Sequence, residues 1–424
     1  MRNNNNTTAV ILATSLFLAA CGGGGDEGGD SSGGTPPPTG GALNAGAGSP
    51  TGAVGDCSAT TAGVNWDALM TKACPKLSDY NLFTDASDPT TGPSRGGVPY
   101  DLSTALFSDY TSKYRFIYVP EGKQAGYSVS EVLDFPVGTV ISKTFALPDN
   151  TAMRDGNELV IETRLLIHRT DGWYALPYYW SSESDATLAI AGKRLVDLKT
   201  INNQGEEITF DYSVPKQADC SSCHAIVPGE AGDQIFLPIG PKARYLNTDH
   251  TYPDGTVYNQ LQYMAEGGLL ADLPSNFQSV EKAPVFNDEV SIPSLSSNEL
   301  DDAARAYLDI NCAHCHRADL TLPAGYAGAA GTSGVQLEYG RDYATDPGKF
   351  GVCKTPVAGG KDGYPFDVIP GNPDDSYLLF RMTTVDNRHK MPELARNTAH
   401  QEGTALIRSW IDQLPSAGCS PSTP

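Results

Sequence analysis

The sequence predicts a multidomain α+β protein in which an antiparallel β sandwich-like domain is followed by a mainly α-helical domain. Three observations carry this. Residues 98–212 hold short runs of β-branched and aromatic residues, broken by Gly, Asp and Pro. Residues 292–415 change to apolar residues at helical spacing. The chain has 424 residues, more than one small core organises, and shows no internal repeat beyond a duplicated pentapeptide.

Taken in order, residues 1–20 read as a signal peptide. Arg2 opens it, and residues 10–20 are apolar but too few to span a bilayer. The stretch Leu18-Ala19-Ala20-Cys21 resembles a bacterial lipobox. That resemblance implies an acylated Cys21 anchored in a lipid bilayer, where each buried methylene adds about 0.8 kcal/mol. Gly22, rather than Asp, after the cysteine implies the outer membrane, with the protein facing the periplasm or the cell surface. Residues 21–56 are Gly, Ser, Pro and Thr with little that is apolar, and read as a disordered tether. Residues 57–97 are an N-terminal segment. Residues 98–214 form the β-rich domain, with strands expected near 114–119, 139–145, 158–167, 173–180 and 208–212. In the next segment, 215–285, residues 258–270 read as a helix with Leu261, Met264 and Ala265 on one face. Residues 290–424 form the helical domain. Ser296 and Glu299 make a capping box, and Leu300, Ala304, Tyr307 and Leu308 continue that helix. Ala405, Leu406, Trp410, Ile411 and Leu414 make a second amphipathic face, stopped by Pro415.

The pentapeptide is Cys-x-x-Cys-His. It stands at Cys220-Ser221-Ser222-Cys223-His224 and at Cys312-Ala313-His314-Cys315-His316. This is the attachment signature of c-type haem. One turn of chain offers both thiols to one edge of a porphyrin, where they add across its vinyl groups, and the following imidazole reaches the iron. Two covalently bound haem c are therefore expected. Cys220, Cys223, Cys312 and Cys315 would hold them, with His224 and His316 as proximal ligands. A zinc ribbon places its two cysteine pairs about 15–20 residues apart, whereas these pairs are widely separated and each has its own His. A thioredoxin-like pair or two structural disulfides would have no use for the histidines.

Of the nine cysteines, one is expected to carry lipid and four to carry haem. Cys57, Cys74, Cys353 and Cys419 remain, an even set in an oxidising compartment. Of their three pairings, the local Cys57–Cys74 and the C-terminal Cys353–Cys419 are favoured. The formal net charge of −21 argues against nucleic acid and anionic lipid surfaces as partners. It suits a cationic redox partner, and equally serves solubility alone.

A helix feeding the motif and another closing over it make the last third of the chain resemble a class I cytochrome c. In that family the distal methionine lies in a loop before a Pro, shortly ahead of the last helix. This implies Met391, in Arg388-His389-Lys390-Met391-Pro392, as distal ligand of the second haem, with Pro392 fixing the loop. Its rival is Met382, in a stretch that reads as a helix face, where methionine is usually core. For the first haem Met264 is the leading distal candidate, with His250, His168, Met153 or an open site as alternatives. From about residue 98 onward the chain resembles exported bacterial dihaem c-type cytochrome lipoproteins. Matching pieces include Phe135-Pro136-Val137-Gly138-Thr139, Pro238-Ile239-Gly240-Pro241-Lys242-Ala243-Arg244 and Pro370-Gly371-Asn372-Pro373. The resemblance implies electron transfer outside the cytoplasm between redox protein partners, and favours a carrier over an enzyme. Two alternatives stand beside it. One is a dihaem peroxidase or other oxidoreductase with one open haem site, using His250 or Glu266 as distal acid or base. The other is a haem-containing binding module whose β domain grips a partner.

Overall fold

The computed structural model describes residues 57–58, 63–154, 157–181, 184–228, 234–318, 326–357, 363–415 and 418–419. The expected signal peptide, Cys21 and the tether lie outside the described residues. Six strands form one antiparallel sheet in the order β1 (Gly97–Pro99), β2 (Ser112–Tyr118), β4 (Val140–Pro148), β5 (Glu158–Arg169), β6 (Gly172–Trp180) and β7 (Ala186–Leu188). The two-residue β3 (Ala125–Gly126) leaves this sheet and pairs in parallel with β14 (Leu270–Ala271). The expected strands are present, each within a few residues of its predicted place. β8 (Lys193–Ile201) and β9 (Glu207–Val214) form a separate antiparallel ribbon.

The sandwich is not formed as expected. The structure has one six-stranded sheet with different covers on its two faces. β4 buries every residue except Lys143, so neither of its faces is left to solvent. On one face, α1 (Trp66–Thr71) and the turn after it pack Leu69, Leu77, Tyr80 and Leu82 against Phe116, Leu165 and Tyr178. The N-terminal segment is thus a lid on the sheet. Tyr178 donates to the Cys74 carbonyl at 2.8 Å, beside the Cys57–Cys74 disulfide. On the other face, the β8–β9 ribbon covers one end through Phe210 and Tyr212, which pack on Leu147 and Ile161. The chain after the first motif covers the other end, where Phe236, Leu261 and Met264 meet Ile117, Ile141 and Trp173.

The first motif opens as α2 (Ser221–His224) and runs straight into β10 (Ala225–Pro228), which pairs with β11 (Ile235–Phe236). α3 (Ala243–Leu246) and the hairpin of β12 (Asp249–Thr251) with β13 (Val257–Asn259) follow. The helix expected over 258–270 is only α4 (Gln260–Glu266). Gly268, at φ +71°, takes the left-handed conformation that ends it.

The last region packs α5 (Ser297–Leu308), α6 (Tyr377–Thr383) and α7 (Gln401–Gln413) into one core, and β15 (Tyr326–Gly328) lies between α5 and α6 in sequence. The capping box is present, with the Ser296 backbone N–H donating to Glu299 Oε2 at 2.8 Å. Trp410 is fully buried, near Tyr343 and Phe350, and its Nε1 donates to Asp301 at 2.9 Å. Ala405 does not belong to the buried face of α7. Gly403, Leu406, Ile407, Trp410 and Ile411 do. Gly403 has a reason to be glycine, since a Cβ there would collide with the Tyr307 hydroxyl and the His400 ring. The Cys353–Cys419 disulfide, also the expected pairing, ties the chain beyond α7 back to this core. No helix among the described residues is long and apolar enough to cross a membrane.

Candidate functional site

The first motif hangs from the β domain. Gln217 Nε2 donates to the Ala175 carbonyl of β6 at 2.9 Å, which pins the turn leading into Cys220. The Lys216 backbone N–H donates to Asp219 at 3.0 Å and closes that turn. His224 is then fixed on two sides. Its Nδ1 donates to the Leu237 carbonyl at 2.7 Å, and its ring stacks on Phe236 at 4.8 Å. A carbonyl only accepts, so the proton sits on Nδ1 and the Nε2 lone pair is free.

The second motif is delivered by α5, which widens into a single π-helical turn at Asp309–Ala313. Asp309 is buried there. It accepts from Lys242 Nζ at 3.2 Å, from the Tyr245 hydroxyl at 2.7 Å and from the Tyr339 backbone N–H at 3.2 Å. Burial opposes its charge, but the two cations Lys242 and Arg244 hold its carboxyl far below the usual range. His316 Nδ1 lies 3.0 Å from the Ser333 hydroxyl, again leaving Nε2 free among the described residues. Burial pushes both His224 and His316 down to about 4, so both imidazoles are neutral near pH 7. Burial also pushes the thiols of Cys220 and Cys312 up to about 11 and about 12. All four motif cysteines are free thiols.

Cys312, Cys315 and His316 line a cavity of about 770 Å³. That volume lies within the range of about 300–1,000 Å³ typical of cofactor pockets. Both distal candidates of the last region also border it. Met391 is half-buried, and its backbone N–H donates to the Arg381 carbonyl at 2.8 Å. Met382 is a core residue, as its helical place predicts, yet it reaches the same cavity. Lys354 and Arg381 add positive charge to the wall. Cys223 of the first motif lines this cavity too, whereas His224 faces a much smaller space of about 10 Å³. The volume fits a porphyrin at the second motif. At the first motif the donor set fits, but the space beside His224 does not hold a ring.

None of the distal candidates for the first motif borders the space beside His224. Met264 is 1% exposed and packs in the core under the sheet. His168 Nδ1 donates to the Phe135 carbonyl at 2.8 Å and its ring stacks on Trp173. His250 pairs with Asp101 at 3.1 Å, and Met153 is exposed. Glu266 accepts from Tyr258 at the surface. Sequence reasoning missed His400, which does line the large cavity. Its Nδ1 lies 3.0 Å from the Tyr307 hydroxyl, its Nε2 lies 3.2 Å from Asp288, and its ring stacks on Phe107 at 4.3 Å. Both His400 nitrogens thus meet a polar side chain, and its ligand atom stands within 4.8 Å of those of Asp288 and Glu402. Burial alone would raise the Asp288 carboxyl, but His400 and Arg154 bring it down to about 2. No short sequence pattern signals this chain of contacts, because its members lie in separate elements.

The two motifs also meet. The Cys315 thiol lies 3.3 Å from the Ser222 carbonyl, and Cys223, His314 and Cys315 bring their ligand atoms within 4.8 Å of one another. No family model matches this chain, and neither does any curated protein or solved structure.

Proposed function

We propose that this chain is an exported dihaem c-type cytochrome, lipid-anchored at the bacterial outer membrane, that carries electrons between redox proteins outside the cytoplasm. The observation that carries the reading is the pair of Cys-x-x-Cys-His motifs, each with free thiols and a neutral histidine held by Nδ1 with Nε2 open. Such outer hydrogen bonds fix ring orientation and raise ligand basicity at metal sites. When bound, haem supplies a one-electron change at iron.

The residues divide the remaining work. Cys312 and Cys315 would hold one ring in the large cavity, and Cys220 and Cys223 would hold the other only once the space beside His224 widens. His224 and His316 give the proximal nitrogens. Met391 offers a thioether to the second site, and a thioether favours reduced iron. Met264 keeps the role of distal ligand at the first site only if the core around it opens. Arg381 would offset a carboxylate that haem brings into the cavity, whereas Lys354 is paired with Asp367 at 2.9 Å. Phe107, Leu337 and Phe350 keep water from the wall. The acidic surface directs the protein towards cationic redox partners and away from nucleic acid.

Intact mass of protein matured in a haem-c-competent host tests the reading. Two covalent haems are expected, with Cys220→Ala and Cys312→Ala each removing one stable attachment. A mass with no haem ends the proposal. Cys21→Ser is expected to release the protein from the membrane fraction, and unchanged membrane binding would remove the anchor from the proposal.

One observation favours a second reading, a dihaem oxidoreductase of the peroxidase kind. His400, 3.2 Å from Asp288, puts an imidazole on the wall of the large cavity. The oxidised spectrum separates the two. Two low-spin six-coordinate haems mark a carrier, and one high-spin haem marks the enzyme.

A further inference from the structure

We propose that the haem-free chain holds a thiolate-binding metal ion of the zinc class between its two motifs, with Cys223, His314 and Cys315 as the three protein ligands. The site does not rest on the dihaem reading. It takes one cysteine from each motif and a histidine at a position for which haem attachment has no use.

Three observations build the site. First, one ligand atom of each of the three residues lies within 4.8 Å of the other two. Two zinc–sulfur bonds of about 2.3 Å set their sulfurs about 3.8 Å apart in a tetrahedron, so the set stands close to bonding geometry. Second, His314 Nδ1 is buried and has no hydrogen-bond partner among the described residues. Buried polar atoms are nearly always paired, so this imidazole is not spent on the protein. Third, the ligands are held together from outside the cluster. β10 begins directly after His224 and pairs antiparallel with β15, in the register Ile226↔Gly328 and Val227↔Ala327. β15 lies tight against the second motif. The Gly328 backbone N–H donates to the Arg317 carbonyl at 3.0 Å, and a Cβ at Gly328 would collide with the Cys315 carbonyl. Two ion pairs brace the same seam, Lys242 with Asp309 at 3.2 Å and Arg317 with Glu131 at 2.8 Å.

The donor set selects the ion. Two thiolates and an imidazole are soft ligands that suit zinc, whereas calcium and magnesium take oxygen. Binding sends both thiol protons to water, and the two thiolates then neutralise the divalent charge. Three protein ligands leave the fourth position of a tetrahedral ion open, as in sites that hold water or a substrate. All three residues border the large cavity, so the open position has that space beside it. An ion bound there must leave before Cys223 or Cys315 can attach to haem. The spacing of the pentapeptides does not predict the site, because neither motif supplies its own cysteine pair to it.

Zinc and cobalt(II) titrations test the site on the full chain, produced without haem attachment and kept reduced. Equilibrium dialysis is expected to give one zinc per chain. Cobalt(II) is expected to show the visible bands of a tetrahedral ion and the ultraviolet bands of thiolate ligands. Loss of an outer partner alone costs a metal site about 10–100-fold in affinity, so His314→Ala is expected to weaken zinc binding by about tenfold or more. If that variant fails to fold, alkylation of the wild type decides. Zinc is expected to shield Cys223 and Cys315 and to leave the reaction rates of Cys220 and Cys312 unchanged, read by peptide mass. Shielding of Cys220 together with Cys223, or of Cys312 together with Cys315, would place separate ions in the two motifs and overturn the site. No bound zinc, or cobalt without thiolate bands, overturns it as well. The dihaem reading fails separately, by a matured chain whose intact mass holds no haem.

Discussion

The same five-residue motif is presented by two unlike supports. The first copy is a four-residue helix hung on a β domain, with its histidine held by a backbone carbonyl and stacked on Phe236. The second sits at the end of a twelve-residue capped helix, inside a helical core, with its histidine held by a serine hydroxyl. Cys223 of the first copy borders the porphyrin-sized space, but of the two following histidines His316 borders it and His224 does not. The lesson is that one pentapeptide can be held in two unlike environments, and that the surrounding fold decides what space its histidine faces.

The comparison can be broken most severely through the two disulfides. Cys353–Cys419 closes a loop of 66 residues around the second region, and Cys57–Cys74 closes one of 17 on the lid of the first. The chain-entropy relation gives about 4 and about 3 kcal/mol for loops of those lengths. Denaturant unfolding of Cys353→Ala/Cys419→Ala and Cys57→Ala/Cys74→Ala is expected to show losses in that order. A larger loss from the shorter loop would mean that the lid, not the helical core, limits stability.

Methionine replacement sharpens the contrast between the regions. Met264→Ala and Met382→Ala each empty a packed site, with an expected cost of about 2–5 kcal/mol. Met391→Ala is expected to cost much less stability, yet to abolish one haem's weak near-red ferric band and lower its potential. If Met382→Ala removes that band and Met391→Ala leaves it, the ligand of the second site is on α6.

Acid distinguishes the regions by a smaller margin. Asp288 is held at about 2 in the folded chain against an ordinary 3.8. A lowered carboxyl adds stability that is complete above the ordinary value and is lost as pH falls through about 2, roughly 2 kcal/mol in all. The acid limb of unfolding below about pH 4 should therefore be shallower in Asp288→Asn than in wild type. An unchanged limb would show that the His400–Asp288 contact adds no stability.

The smallest expected effect concerns the histidine anchors. Ser333→Ala removes the only side-chain partner of His316 Nδ1 among the described residues, at an expected cost of about 1 kcal/mol. The ligand-field spectrum of the second haem should broaden while that of the first is untouched. His224 offers no equivalent substitution, because its partner is backbone.

Much of this architecture is legible in the chain. The strands are, because their β-branched and aromatic runs are local. So are the Ser296–Glu299 box and the helix it starts, and so are the disulfide pairs once the motif cysteines are set aside. The sandwich was misread because short strands broken by Gly, Asp and Pro suit two packed sheets equally well, while here the second cover of β4 comes from segments distant in sequence. Ala405 was misplaced because an alanine beside Leu406 looks apolar, whereas the close approach to Tyr307 needs Gly403. The meeting of the two motifs was beyond reach. It depends on strands of three and four residues, too short to leave a periodic trace.

One more consequence belongs to α7. Its N-cap His400 and its Thr404 border the large cavity, it lies downstream of both motifs, and the chain just beyond it is fastened by Cys419. A polypeptide that emerges amino end first therefore displays all four thiols before the piece that shuts the chamber has arrived. The chamber beside Cys312, Cys315 and His316 therefore stands open until α7 arrives, and it narrows once Cys353 and Cys419 join. The order of biogenesis is written into where the closing helix stands in the chain.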